Sequence, residues 1–209
     1  MDIDSLRTTI LNDASLVLSE TERLQYAYAL KREIRYNLAR AEERTTESVA
    51  EHVYGMHVLG RYFHQLESAA EPLSYDRIQS LITWHDVDEV ETGDIVSWRK
   101  TDTDRERERT ASAVVLDRIP ALIRSDVASL LEEYEAQATR EARFVKALDK
   151  IEPLFECCNE NGVRVTFESG QSLASHERVK YPYLTDFPYM RRFCDVITAE
   201  MIRRGAFSS

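Results

Sequence analysis

An imidazole and a carboxylate stand side by side at His85-Asp86, and donors on adjacent residues can both reach one metal ion when a helix ends beneath them. Chance supplies about 0.3 such dipeptides in a chain with this His and Asp content, so the pair needs support from elsewhere. His52 offers some: it shares the stripe of Val49, Val53, Met56, Gly60 and Phe63, whose helical spacing points it into the core. Its plainer alternative is a hydrogen-bonded core histidine. Asp149 lies in Lys146-Ala147-Leu148-Asp149-Lys150, among Ala142, Val145, Leu148, Ile151 and Leu154; its plainer alternative is a solvated carboxylate. Together the four residues mix nitrogen and oxygen donors in a set suited to Mn²⁺, Fe²⁺, Co²⁺, Mg²⁺ or Zn²⁺.

The elements that must position these groups read as helices. With only 6 Gly and 5 Pro in 209 residues, the composition favours helices joined by short turns, so the expected fold class is all-α. Ile3, Leu6, Ile10 and Ala14 form one stripe. Ser19 with Glu22 reads as a capping box opening a second helix through Leu24, Ala27, Leu30 and Ile34. A third starts at Thr46 and Glu47, and a fourth runs through Ile78, Leu81 and Ile82 to His85 before Thr92-Gly93-Asp94 breaks it. Arg105 to Leu116 and Ser125 to Ala136 suggest two more, separated by Pro120, and Arg140 to Cys158 another, with Pro153 expected to kink or interrupt its end. Residues 159–187, with Asn159, Gly162, Gly170 and Pro182 around Val163 to Phe167, read as an irregular excursion or short hairpin. A last helix covers about Tyr189 to Arg203.

With 37 acidic against 27 basic side chains and a formal charge of -10, the surface should repel long nucleic acids and anionic membranes. A few inward arginines can still bind one small phosphorylated ligand. No apolar run approaches the roughly 18 residues that span a bilayer, and the acidic start Met1-Asp2-Ile3-Asp4-Ser5 lacks a signal peptide's basic region. Cys157, Cys158 and Cys194 fit neither a disulfide framework nor a C-x-x-C zinc site. A cytoplasmic protein with reduced thiols is expected.

Several segments in this order resemble the HD-domain metal-dependent phosphohydrolases, in particular their 5'-nucleotidase-like branch: Leu30-Lys31-Arg32 with Arg35; Glu47 to His52; His85-Asp86 through Glu89 to Gly93-Asp94-Ile95; and Glu132 to Glu135 followed by Phe144 to Lys150. The resemblance covers roughly residues 25–155. It implies a compact HD-domain helical bundle over the single domain 1–209, with a core at about 20–158 and a branch-specific segment at about 159–209. It also implies that His52, His85, Asp86 and Asp149 bind one divalent metal ion and that Glu89 orients or deprotonates the attacking water. Glu89 would share a face with His85 and Asp86 if their helix continued.

Asp94 matches an acidic position near the leaving group, with a turn or N-cap role as the alternative. Arg35 matches an arginine that grips the phosphate; alone it reads as surface charge. Tyr36 stands where the branch typically has a tryptophan against the sugar, which puts deoxyribose preference in question. The implied substrate is a nucleoside 5'-monophosphate, and a homodimer is left open. Nucleoside triphosphate hydrolysis, with Arg40, Arg44, Arg99 and Lys100 nearby, and a non-catalytic nucleotide-binding module are the competing readings. The run Arg105-Glu106-Arg107-Glu108-Arg109 reads as a solvated helix face.

Overall fold

The computed structural model describes residues 3–35, 47–69 and 71–208. Among these residues it is all-α, with two isolated bridges, Ile34 to Ser48 and Ser172 to Ser208, and no strand. Helices α1 (Ile3–Asn12) and α2 (Ala14–Ala27) lead into a 3-10 turn at Tyr28–Lys31. The second helix opens well before the expected Ser19, because the Asp13 carboxylate already accepts from the backbone N–H groups of Ser15 and Leu16. It stops short of Ile34, which pairs with Ser48. That pairing lets Arg35 N–H donate to the Glu47 carbonyl at 3.0 Å and Val49 N–H to the Glu33 carbonyl at 3.0 Å.

Helix α3 (Val49–Glu67) starts at Ser48, whose side chain and that of Glu51 form a reciprocal capping box; Thr46 lies outside the described residues. Its buried positions Val49, His52, Met56, Gly60, Phe63 and Glu67 follow helical spacing, so the stripe read from the sequence is the core face. Helix α4 (Tyr75–Trp84) ends where His85 begins, the one-turn helix α5 (Glu89–Thr92) follows, and Gly93 at φ 71 ends it. Helices α6 (Asp102–Arg118) and α7 (Ala121–Ala136) flank Pro120, at the N-cap of α7.

Helix α8 (Arg140–Cys157) is the spine. Phe144, Val145, Leu148 and Ile151 on it are fully buried, each contributing roughly 1.5–3 kcal/mol relative to exposure, and it packs on α3, α4, α7 and the C-terminal helices. It runs on through Pro153. Three residues before that proline, Lys180 Nζ donates to the Lys150 carbonyl at 2.6 Å.

The expected irregular excursion is instead helical: α9 (Glu160–Glu168) and α10 (Leu173–Lys180), then a 3-10 turn at Tyr181–Leu184 and α11 (Pro188–Arg203). Asn159 caps α9 by accepting from Gly162 N–H, and Ser172 caps α10. The caps and tertiary packing override the β propensity of Val163 to Phe167. Gly162 is needed because a Cβ there would lie 2.3 Å from Cys157 Cα. Buried Glu67 accepts from the Tyr189 and Met190 N–H groups at 2.9 and 3.0 Å, capping α11 from the end of α3.

Candidate metal centre

His52, His85, Asp86 and Asp149 converge, with one donor atom from each lying within 4.8 Å of the others. Three elements bring them together: α3 supplies His52, the end of α4 supplies His85 and Asp86, and α8 supplies Asp149. His52 Nε2 is 3.5 Å from Asp149 Oδ1 and 3.8 Å from Asp86 Oδ2, and His85 Nε2 is 2.9 Å from Asp86 Oδ2. Asp149 is buried, so its solvated alternative does not hold.

Both imidazoles have their outer nitrogen fixed. His52 Nδ1 is 2.6 Å from Glu152 Oε2, and His85 Nδ1 is 2.9 Å from the Ile82 carbonyl. A carboxylate or carbonyl oxygen accepts, so each Nδ1 donates and each Nε2 is directed to the cluster. Both Nε2 atoms are buried without a hydrogen bond. A buried polar atom with no partner calls for an explanation, and a divalent cation with mixed N and O ligands fits the donor set.

The electrostatics divide the carboxylates. Burial pushes Asp86 up, but the charge of His85, whose Nε2 lies 2.9 Å from Oδ2, outweighs it and holds this carboxyl well below its ordinary range. Burial also opposes ionisation of Asp149, yet Lys150, His52 and Lys146 keep it well below. Lys150 Nζ and the Tyr134 hydroxyl donate to Asp149 Oδ2 at 2.8 and 3.2 Å. Glu89 goes the other way: burial, Asp86 and Asp94 push it well above the usual glutamate value. At His52 burial and Arg35 favour the neutral ring, but Glu152 and Asp149 prevail and raise it to about 9.

Glu89 does not share a continuous helix with His85, because α4 stops at Trp84. The turn 85–88 carries it to the start of α5, and there it is buried with Oε2 lacking a hydrogen bond. Arg35 is not surface charge: it is buried, with Nε 3.1 Å from Glu47 Oε1 and Nη1 3.7 Å from Asp86 Oδ2. Asp94 is buried after Gly93 and lines the cavity that also reaches Arg35, Glu89 and Asp149. Tyr36, Arg40 and Arg44 lie outside the described residues. Arg99 donates to the Ser169 carbonyl at 2.6 Å, whereas Lys100 pairs with Glu108 at 2.6 Å and lines the cavity.

Sequence reasoning gave Glu47 only a helix-start role and assigned none to Glu152, Lys146 or Trp98. Glu47 and Glu152 flank His52, and burial with the Glu152 charge raises Glu47 to about 8. The signal for Glu152 was present: it lies one turn after Asp149 on a helix otherwise apolar at that face. Gly55 leaves the room it occupies, since a Cβ there would lie 2.5 Å from Glu152 Oε1. Trp98 carries no such signal.

The chain is similar to known proteins in sequence and in fold. The chain is 32% identical to the 5'-deoxynucleotidase HDDC2 of Mus musculus over 112 residues, 53% of this chain and 54% of that one. It is 33% identical to the Bos taurus protein of that name over 112 residues, 53% and 52% of the two chains. The alignments thus span about half the length of these curated relatives. A predicted metal-dependent phosphohydrolase from Magnetospirillum magnetotacticum superposes with a TM-score of 0.76 at 24% identity, covering 92% of this chain and 96% of that one. An HD-domain phosphohydrolase from Listeria innocua gives 0.63 at 20%, covering 89% and 90%; at these identities the two structures speak for the fold. The family model described as HD domain matches residues 27–185, so the chain belongs to the HD domain family.

Proposed function

We propose that this chain is a divalent-cation-dependent phosphohydrolase that converts a nucleoside 5'-monophosphate, in the first instance a deoxynucleoside one, to a nucleoside and inorganic phosphate. The observation that carries the reading is the pair of buried Nε2 atoms aimed, with the ionised Asp86 and Asp149, at one point beside Glu89. Similarity to proteins named 5'-deoxynucleotidase supports the substrate class.

His52, His85, Asp86 and Asp149 would hold one Mn, Co, Fe, Mg or Zn ion. When bound there, such an ion would supply Lewis acidity, making water a better nucleophile near neutral pH and the phosphoryl group a better electrophile. Glu89 then orients the attacking water and takes its proton, a role suited to a carboxylate whose pKa its surroundings raise. Arg35 binds the phosphate that is attacked, its fork suited to two oxygens at once. The bond from phosphorus to the sugar 5' oxygen breaks, and Asp94 contacts the sugar or delivers the proton that oxygen needs. Tyr36 is assigned to the sugar wall. Residues 1–209 act as one unit, with α9 and α10 closing one side of the site.

A second reading, triphosphate hydrolysis, is favoured by one observation. A further cavity at the centre is lined by Lys100, Arg105, Arg109, Lys146, Lys150 and Arg178, interspersed with Asp86, Asp88, Glu89, Glu108 and Glu135; its arginines could contact a longer phosphate chain. Phosphate release from nucleoside mono-, di- and triphosphates with Mn²⁺, Co²⁺, Mg²⁺ and Zn²⁺ separates the two. Metal-dependent release from monophosphates is expected. Release from triphosphates alone would favour the second reading, and no release with any pair would contradict both.

A further inference from the structure

Two cavities open on the centre, sharing Asp86, Glu89, Trp98, Lys100, Lys146 and Lys150 among their walls. They differ in chemistry. One has Arg105, Arg109 and Arg178 to itself. The other runs between residues 95–98 and the C-terminal helices, over apolar side chains of Leu154, Cys157, Val165 and Met201. The scissile phosphate belongs beside Arg35 at the centre, and a flat, weakly polar group suits the apolar stretch of the second cavity.

Two polar groups in that second wall lack partners among the described residues. The indole Nε1 of Trp98 is buried with no hydrogen bond. Across from the loop, Gln171 is buried, and among the described residues only its backbone carbonyl is engaged, by Ser208 N–H. Its side-chain amide offers one acceptor and two donors. Thr166, also buried there, donates to the Gly162 carbonyl at 2.8 Å and keeps lone pairs for a donor. An apolar floor with a few placed polar groups is the character of a small-molecule site, and a nucleobase matches it: an apolar face and an edge of alternating donors and acceptors.

We infer that the cavity between residues 95–98 and helices α9 and α10 seats the nucleobase, with the Trp98 N–H and the Gln171 amide reading its edge. This rests on the nucleotidase reading above. The C-terminal segment thereby becomes part of the substrate site, which α9 and α10 complete while α3, α4 and α8 hold its reacting end. A site built to hydrogen-bond a polar edge discriminates against compounds lacking it, because its own polar groups are then left unpaired.

The test compares deoxynucleoside 5'-monophosphates with 2-deoxyribose 5-phosphate, which keeps the scissile phosphate and sugar but has no base. Trp98→Phe keeps an aromatic ring and removes the N–H; Gln171→Leu keeps volume and removes the amide. Each is expected to lower kcat/KM on the nucleotides about tenfold, the size of one lost paired contact, and to leave the sugar phosphate unchanged. Equal losses on both compounds, or no loss in either variant, would overturn the base seat. So would wild-type turnover of the sugar phosphate as fast as of the nucleotides, which leaves the phosphohydrolase reading standing. No release from either compound would overturn that reading and the seat with it.

Discussion

Helices α6 and α8 have nearly the same length, 17 and 18 residues, and both carry many ionisable side chains. On α6 most charges face solvent, several in short-range pairs such as Arg107 with Asp104 at 3.7 Å, and only Ala111 and Val115 are buried. On α8 Asp149 and Glu152 are buried with the aliphatic core. Exposed pairs contribute little because water screens them, whereas a buried carboxylate must be matched by hydrogen bonds or cations. Asp149 has Lys150 and Tyr134, and Glu152 has His52. Charge density therefore says nothing of chemistry until the face it occupies is known.

The largest effect that would break this contrast is at Glu89, the buried carboxylate α5 sets beside Asp86. Glu89→Gln should retain metal and lose about 10²- to 10⁴-fold in kcat, the usual worth of general acid-base assistance. Wild-type turnover in that variant would remove Glu89 from the chemical step. Next is Glu152, which acts through His52. Glu152→Leu keeps the volume but releases His52 Nδ1, and cation affinity by titration calorimetry should fall about 10- to 100-fold. An unchanged dissociation constant would make Glu152 a packing residue only.

Polar groups packed near α8, and not the pairs on α6, should also govern acid sensitivity. His176 on α10 is buried against Phe207 with Nε2 3.0 Å from the Thr198 hydroxyl. Burial, reinforced by Lys180, holds its imidazole down to about 3. The unfolded ring takes up its proton near pH 6.5, so between these values the unfolded state binds more protons. The contribution is complete above about pH 6.5 and is lost as pH falls towards 3. His176→Gln should flatten that part of the Tm–pH curve; the same slope in variant and wild type would contradict the assignment. The smallest effect is expected on α6, where Arg107→Ala should change stability by less than about 0.5 kcal/mol in urea melts. A loss above about 1 kcal/mol would erase the contrast between the helices.

Much of this was legible in the chain. His52 could be placed by the stripe it shares with Met56 and Phe63, and Asp149 by its apolar neighbours, because helical period and burial are linked directly. The roles given to Glu89, Asp94 and Arg35 came from family likeness, and the structure brings these side chains to the centre by means the pattern did not carry. Glu89 arrives through a turn, and Arg35 through the pairing of Ile34 with Ser48. Residues 159–187 mislead because Val163, Val165 and Thr166 favour strands locally, while the caps at Asn159 and Ser172 act together with packing on α8. Trp98 and Gln171 were silent for a related reason: they are far apart in sequence and meet only across a cavity.

The central claim is that one cation is held by side chains from α3, α4 with its following turn, and α8. Elemental analysis of purified wild type, His52→Ala and Asp149→Asn, each loaded with Mn²⁺ and desalted, addresses it directly. About one ion per wild-type chain and a large loss in both variants are expected, with helical content by circular dichroism unchanged. Full metal content in either variant would contradict the claim.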